Sequence, residues 1–330
     1  MAIPSQASAT SKKTQQALRS HLPAAPVSVA GVASTAKKVK LKKNVDIEHA
    51  FQAIVFNCVD QILANQDCLR SNYNAESLHQ LRVALRRLRA TFSLFKNRLP
   101  IPDGIQNDLK WFARQLNPVR DCDVFATTIL PYIAASMDMQ DSLQELMHHA
   151  QSVANQRHQA VISLLASERF TLFMLNLCLW MHGLGWRDTL SEKQRHRVQS
   201  PAKKFANKRL LRLKKLLRSK GKKIDFSDTE ALHKIRICIK NIRYTGQFFH
   251  SLISSKQEKA YLNELSALQT RLGKNNDIVV ADRLLFELRH EQFPLAKSID
   301  SARNRLTQLG AVSKKKLRQR WKKSDMFGSH

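Results

Sequence analysis

The chain has 330 residues, with 55 Lys plus Arg against 26 Asp plus Glu and 43% hydrophobic residues. It is long and apolar enough for one large or two ordinary domains, and nine glycines and nine prolines are too few turn formers for a hairpin-rich β fold. A net charge of +29 costs self-repulsion and points to a polyanionic partner: nucleic acid, an anionic membrane or a polyphosphate.

Residues 1–44 hold eight Lys/Arg, no acid and little apolar periodicity, and read as a disordered basic tail. It lacks the apolar stretch of a secretory signal. Helical periodicity starts after Val45. A first helix over 46–70 carries Ile47, Phe51, Ile54, Val55, Val59, Ile62 and Leu63 on one face. A second, 78–98, ends before Pro100 and Pro102. Helices follow near 104–116, 121–137 and 139–166, with Pro131 bending or dividing the middle one. Another spans 168–182, ahead of a break at Gly183–Gly185. Its run Phe170–Trp180 is too short to cross a membrane and reads as core. The second half offers helices at 194–219, 230–253, 256–272, 276–290 and 295–322, and no alternating strand pattern of useful length. Five scattered cysteines without a C-x-x-C fit free thiols in a reducing compartment.

Two of these helices share a signature. Residues 78–95 (LHQLRVALRRLRATFSLF) and 232–249 (LHKIRICIKNIRYTGQFF) align without a gap, with six of eighteen positions identical. At about 100° per residue, His79, Arg82, Arg86 and Arg89 fall within an arc of roughly 80°. His233, Arg236, Lys240 and Arg243 do the same. Each arc lies on the shoulder of an apolar stripe, where a side chain lines a groove between helices. The repeat continues: FARQLNPVRDCDV at 112–124 aligns with LQTRLGKNNDIVV at 268–280 once two residues are inserted. Asn117 and Gly273 then suit helix ends, and Asp121 and Asp277 suit the start of the next helix as caps, with burial against an arginine as the other reading.

A solvated cationic face normally interleaves acids four residues away. Here no Asp or Glu occurs from Ser77 to Pro102 or from Ala231 to Gln257, and Lys193 to Ile224 hold fourteen Lys/Arg and no acid. In that last stretch Lys204, Lys208, Arg212 and Lys215 share one arc. An anionic ligand is the natural compensation. Arginine grips phosphate oxygens bidentately, and lysine acts as a point charge. His79 and His233 admit two roles: hydrogen-bonding a neighbouring helix, or contacting phosphate and gaining protons beside it. Neither motif supplies a second His or Cys at metal-ligand spacing, so no metal is expected.

The motifs His79-x-x-Arg82-Val83-x-x-Arg86-Arg87-Leu88-Arg89-Ala90, Pro118-x-Arg120-Asp121-x-Asp123-Val124, His233-Lys234-x-Arg236-x-x-Lys240-x-x-Arg243-Tyr244 and Leu272-Gly273-x-x-x-Asp277 together resemble the CHAD family, named for conserved histidines and an α-helical domain. Asn117 stands where a Gly is usual, and Asn241 where the first half has Arg87. The resemblance implies an all-α domain over 45–325, built from two pseudo-symmetric helical-bundle repeats (about 45–190 and 191–325) with a basic groove or pore between them. Known members bind inorganic polyphosphate and associate with polyphosphate granules. The expected ligand is therefore polyphosphate, held by His79, Arg82, Arg86, Arg89, His233, Arg236, Lys240, Arg243, Lys204, Lys208, Arg212 and Lys215. The expected setting is the cytoplasm at such granules, with granule proteins as further partners.

Nucleic acid is the main rival. Single-strand binders interleave aromatics with cations, and these arcs contain no aromatic residue. Duplex backbone binding needs only charge, so the tail and residues 314–323 (KKKLRQRWKK) remain available for it. Catalysis is the least supported class. No P-loop or nucleophile motif is present, and two or three aspartates are few for metal-assisted phosphoryl transfer. The expectation is a binding module without a cofactor, neither enzyme nor membrane protein.

Overall fold

The computed structural model describes residues 32–136, 140–222, 224–253, 255–291 and 295–322. The fold is all-α: α1 (Ile47–Ser71), α2 (Ala75–Phe95), α3 (Asp103–Val124), a π-helical turn (Phe125–Ile129), α4 (Leu130–Ala134), α5 (Gln140–Ala166), α6 (Glu168–His182), α7 (Glu192–Val198), α8 (Ala202–Lys222), α9 (Thr229–Phe248), α10 (His250–Ile253), α11 (Lys256–Glu291) and α12 (Ala296–Lys322). No strand forms among the described residues, only an isolated bridge between Asp46 and Pro201.

The two signature helices begin in the same way. Asn74 accepts hydrogen bonds from the Glu76 and Ser77 amides, and Asp228 from the Glu230 and Ala231 amides. Each cap satisfies orphan amides of the first turn. Thr91 and Thr245 then donate to the carbonyls four residues back, Arg87 and Asn241. The apolar stripe of α2 is buried from Leu78 through Leu81, Leu85 and Leu88 to Phe95, and that of α9 through Ile235, Ile239 and Ile242.

Three apolar cores hold these helices. One packs α1, α2, α3 and α6 around Phe51, whose ring meets Phe95 at 5.1 Å and Trp186 at 5.6 Å between centroids. It also takes in Val198, Ala202, Ala206, Phe248 and Phe249 from the second half of the chain. Another joins α8 and α9 to the first half of α11 and the end of α12 through Leu210, Ile239, Leu268 and Trp321. The last sets Phe125 and Leu130 against Leu146, Leu285 and Ile299. A boundary near residue 190 therefore does not divide the chain into two separate cores.

Three expectations require correction. The helix ends placed at Leu116 and Leu272 are not ends: α3 runs on through Pro118, and α11 is continuous for 36 residues across Gly273. Burial of Phe112, Leu116, Val119 and Cys122 on one face outweighs the cost of proline inside a helix. Asp121, in the last turn of α3, and Asp277, inside α11, consequently start no helix and cap nothing. Finally, the basic tail does not reach residue 44. Its residues 1–31 lie outside the described residues, but Ser34 exchanges two hydrogen bonds with Asn65. Val39 and Leu41 are buried, and Ser251 brackets the Leu41 backbone.

Candidate functional site

A cavity of about 730 Å³ opens between α2 and α9, walled also by α3, the π-helical turn and α11. The shoulder position of the cationic arcs brings this about, since each helix buries its apolar stripe in its own core and turns the adjoining arc toward the other. His79, Arg82, Arg86 and Arg89 line the cavity from α2, and His233, Arg236 and Lys240 from α9. Seven of the twelve residues expected at the site thus meet in one place. Arg243 lies outside the lining, close to Arg86 and Tyr244. Lys204, Lys208, Arg212 and Lys215 are exposed on α8 and do not line it.

The cavity also recruits residues that helix-by-helix reasoning missed. Arg120 enters from α3 with its Nε buried and unpartnered. Its presence in the family motif was the available signal. Asn117 accepts a hydrogen bond from Arg82 Nη2 at 2.8 Å, and Asn276 accepts one from Arg236 Nη1 at 2.5 Å. Arg86 Nε donates to the Tyr244 hydroxyl at 2.7 Å, tying the two signature helices together. Asp121 and Asp277 face the arginines from α3 and α11, and Arg283 stands 3.9 Å from Asp121. The acids missing from the cationic arcs of α2 and α9 therefore come from other helices. Six Lys/Arg face only two carboxylates across the lining, so the cavity keeps an excess of positive charge.

The electrostatics reflect that excess. Desolvation lowers Arg82 to about 10, against the pull of Asp121. Desolvation, reinforced by Arg236, Arg86 and Arg82, brings Lys240 down to about 7. His79 is lowered by desolvation and then by Arg120, which favours the neutral imidazole. Burial raises Asp121 and Asp277 even though arginines pull them back. Neither His79 nor His233 hydrogen-bonds another described residue, so the reading of these histidines as interhelical ties finds no partner here.

Two other polar residues of the motifs prove architectural. Arg87 is buried, donating to Gln61 at 2.7 Å and Asn57 at 2.6 Å with its guanidinium over Phe248. Asp123, 2% exposed, accepts from Tyr73 and pairs with His158, each at 2.7 Å. The five cysteines are free and buried. No group of three or more His, Cys, Asp or Glu suited to a metal occurs among the described residues. No single helix among them is long and apolar enough to cross a membrane.

Comparison with known proteins follows the same lines. The family model described as CHAD domain matches residues 53–285. The crystal structure of the CHAD domain from the plant Ricinus communis is similar at 32% identity and a TM-score of 0.78, covering 88% of this chain and 96% of that one. A protein named PptA from Streptomyces chartreusis, at 12% identity and a TM-score of 0.60, covers 83% of this chain and 100% of its own, and shares the fold. Among curated proteins none matches significantly. On the extent of the family match and the likeness to the Ricinus domain, the chain belongs to the CHAD domain family.

Proposed function

We propose that the chain is an inorganic polyphosphate-binding module that holds the polyanion between α2 and α9. The observation that carries this reading is the composition of the cavity, in which Arg82, Arg86, Arg89, Arg120, Arg236 and Lys240 face two carboxylates. Polyphosphate has about one charge per phosphate and neither bases nor sugars, so it asks for charge and guanidinium geometry alone. Tyr244 and Phe125 are the aromatics of the lining. The Tyr244 hydroxyl is engaged by Arg86 and Phe125 is 4% exposed, which leaves little surface for stacking nucleobases. A long chain would leave the cavity and meet further cations, and the exposed lysines of α8 suit that outer role. The same reading assigns the protein to polyphosphate granules in the cytoplasm, with granule proteins as partners, and gives it binding rather than catalysis as its task.

The test is competition between fluorescent long-chain polyphosphate and DNA of equal charge at about 0.15 M salt, where screening weakens purely nonspecific contacts. Polyphosphate is expected to bind more tightly. Equal or tighter binding of DNA would reverse the preference. A fluorescent fusion should form foci in cells that contain polyphosphate and disperse in cells that lack it.

A further inference from the structure

Lys240 is the single amine among the six cations of the cavity lining, the other five being arginines. It is half-buried, and no hydrogen bond or ion pair joins it to another described residue. Arg89 and Arg120 share that lack of a partner, whereas Arg82 and Arg236 rest on Asn117 and Asn276, and Arg86 on Tyr244.

Its surroundings explain why a proton sits poorly there. From its own helix it faces Arg236, with His233 and Tyr244 on the same wall; from α2 it faces Arg82 and Arg86, with His79 and Arg89 beside them. From α3 come Arg120 and Asp121, and from α11 Asp277, the carboxylate that favours the charged amine. Desolvation and like charges both disfavour the ammonium form, and a single acid, itself shared with Arg236, opposes them.

We propose that Lys240 is the proton-linked residue of the cavity: above neutral pH its amine sheds its proton when the site is empty and takes one up when a polyanion enters. This rests on the polyanion reading of the site. The amine's value of about 7 places the transition in the neutral range. Phosphate oxygens beside the amine replace lost hydration and oppose the arginine charges, and both effects raise its proton affinity. The sign follows from linkage. Above neutrality binding must draw a proton from solution, so affinity falls as pH rises; below it Lys240 is already charged and the dependence fades. Arg82, lowered only to about 10, stays charged throughout and cannot supply this response.

The experiment is titration calorimetry of the full chain with polyphosphate at about pH 8, in two buffers of different ionisation enthalpy. Wild type is expected to take up close to one proton, and its Kd to weaken by up to about tenfold per pH unit. Lys240→Arg keeps the charge permanently, and should bind with that uptake removed and a flatter pH profile. Equal uptake by the two proteins overturns the assignment while leaving polyphosphate binding intact. No binding by wild type overturns the underlying reading as well. A second measurement needs no variant. The acetylation rate of Lys240, followed by peptide mass spectrometry, should plateau near pH 7 in the free protein and at higher pH with polyphosphate present. A plateau coinciding with those of the exposed Lys204 and Lys208 in the free protein would also overturn it.

Discussion

Replacing Arg82 and Arg236 together by glutamine is the most direct probe of the cavity. Glutamine is preferable to glutamate, because Asp121 and Asp277 already face these positions and a third carboxylate would add repulsion of its own. It also keeps a polar, uncharged side chain in place of the guanidinium groups now bonded to Asn117 and Asn276. Each charge-assisted hydrogen bond to phosphate contributes about 1.5–3 kcal/mol. Losing both arginines should cost about 3–6 kcal/mol, or a factor of about 10² to 10⁴ in Kd. The salt dependence gives an independent reading. With about 0.7 counterions released per neutralised phosphate of a single-stranded polyanion, the slope of log K against log salt should become shallower by about 1.4. Fluorescence anisotropy of labelled polyphosphate over a potassium chloride series measures both quantities. Helical circular dichroism should be unchanged, since desolvation lowers both guanidinium groups and their removal relieves like-charge crowding. An unchanged slope would show that the polyanion binds elsewhere, and loss of helicity would make the arginines structural.

Four further outcomes are expected. Asp121→Asn with Asp277→Asn removes the only carboxylates of the lining, so polyphosphate affinity should rise, by about tenfold or less in a salt-screened cavity, and a fall in titration would contradict this. Glu48, 3% exposed, accepts from Trp186 and pairs bidentately with Arg187, so Glu48→Gln should cost about 2 kcal/mol in urea unfolding at neutral pH. The Arg187 hydrogen bond holds the Glu48 carboxyl below its ordinary range despite desolvation. Its stabilisation is therefore complete above the ordinary glutamate range and lost as pH falls through the depressed one, so the two proteins should converge in acid. Tyr73→Phe strips one donor from the buried Asp123 and should cost about 1–2 kcal/mol of stability while leaving polyphosphate affinity unchanged; a loss of affinity would link this cluster to the site. Changing Lys204, Lys208, Arg212 and Lys215 to Gln should weaken binding of long-chain polyphosphate but not of tripolyphosphate, and equal weakening of both would mean that α8 acts on the cavity itself.

Legibility in the sequence followed the reach of each signal. The faces of α2 and α9 were readable because apolar and cationic positions recur at helical spacing, and that spacing alone fixes the shoulder arcs. No break forms at residues 116–121, although Asn117 suits the left-handed conformation that closes a helix and Pro118 removes a helix hydrogen bond. The buried row Phe112, Leu116, Val119 and Cys122 keeps its period across them, and tertiary burial overrode the local cost of about 3 kcal/mol for a helix proline. Gly273 misled in the same way at a smaller cost. The pairing of Glu48 with Trp186 and Arg187 spans about 140 residues and leaves no local pattern. On α8 the charge run was visible, but charge density cannot tell a groove from solvent. That requires knowing which neighbour faces the arc, and α8 turns its cations outward.

Carboxylates inside a polyanion site follow from the same balance. The cations of the two signature helices would repel one another in a partly desolvated space even with no ligand present. Asp121 and Asp277 supply opposite charge from helices that carry no cationic stripe, and Asn117 and Asn276 hold the guanidinium groups of Arg82 and Arg236 without neutralising them. The empty site is thereby kept tolerable to the fold and its arginines are held in place before a ligand arrives. Two acids against six cations leave most of the positive charge for a polyanion to satisfy. Around Lys240, Asp277 alone opposes Arg236, Arg86 and Arg82. An amine in that position can answer the crowding by releasing its proton near neutrality, which the arginine lowered only to about 10 cannot do.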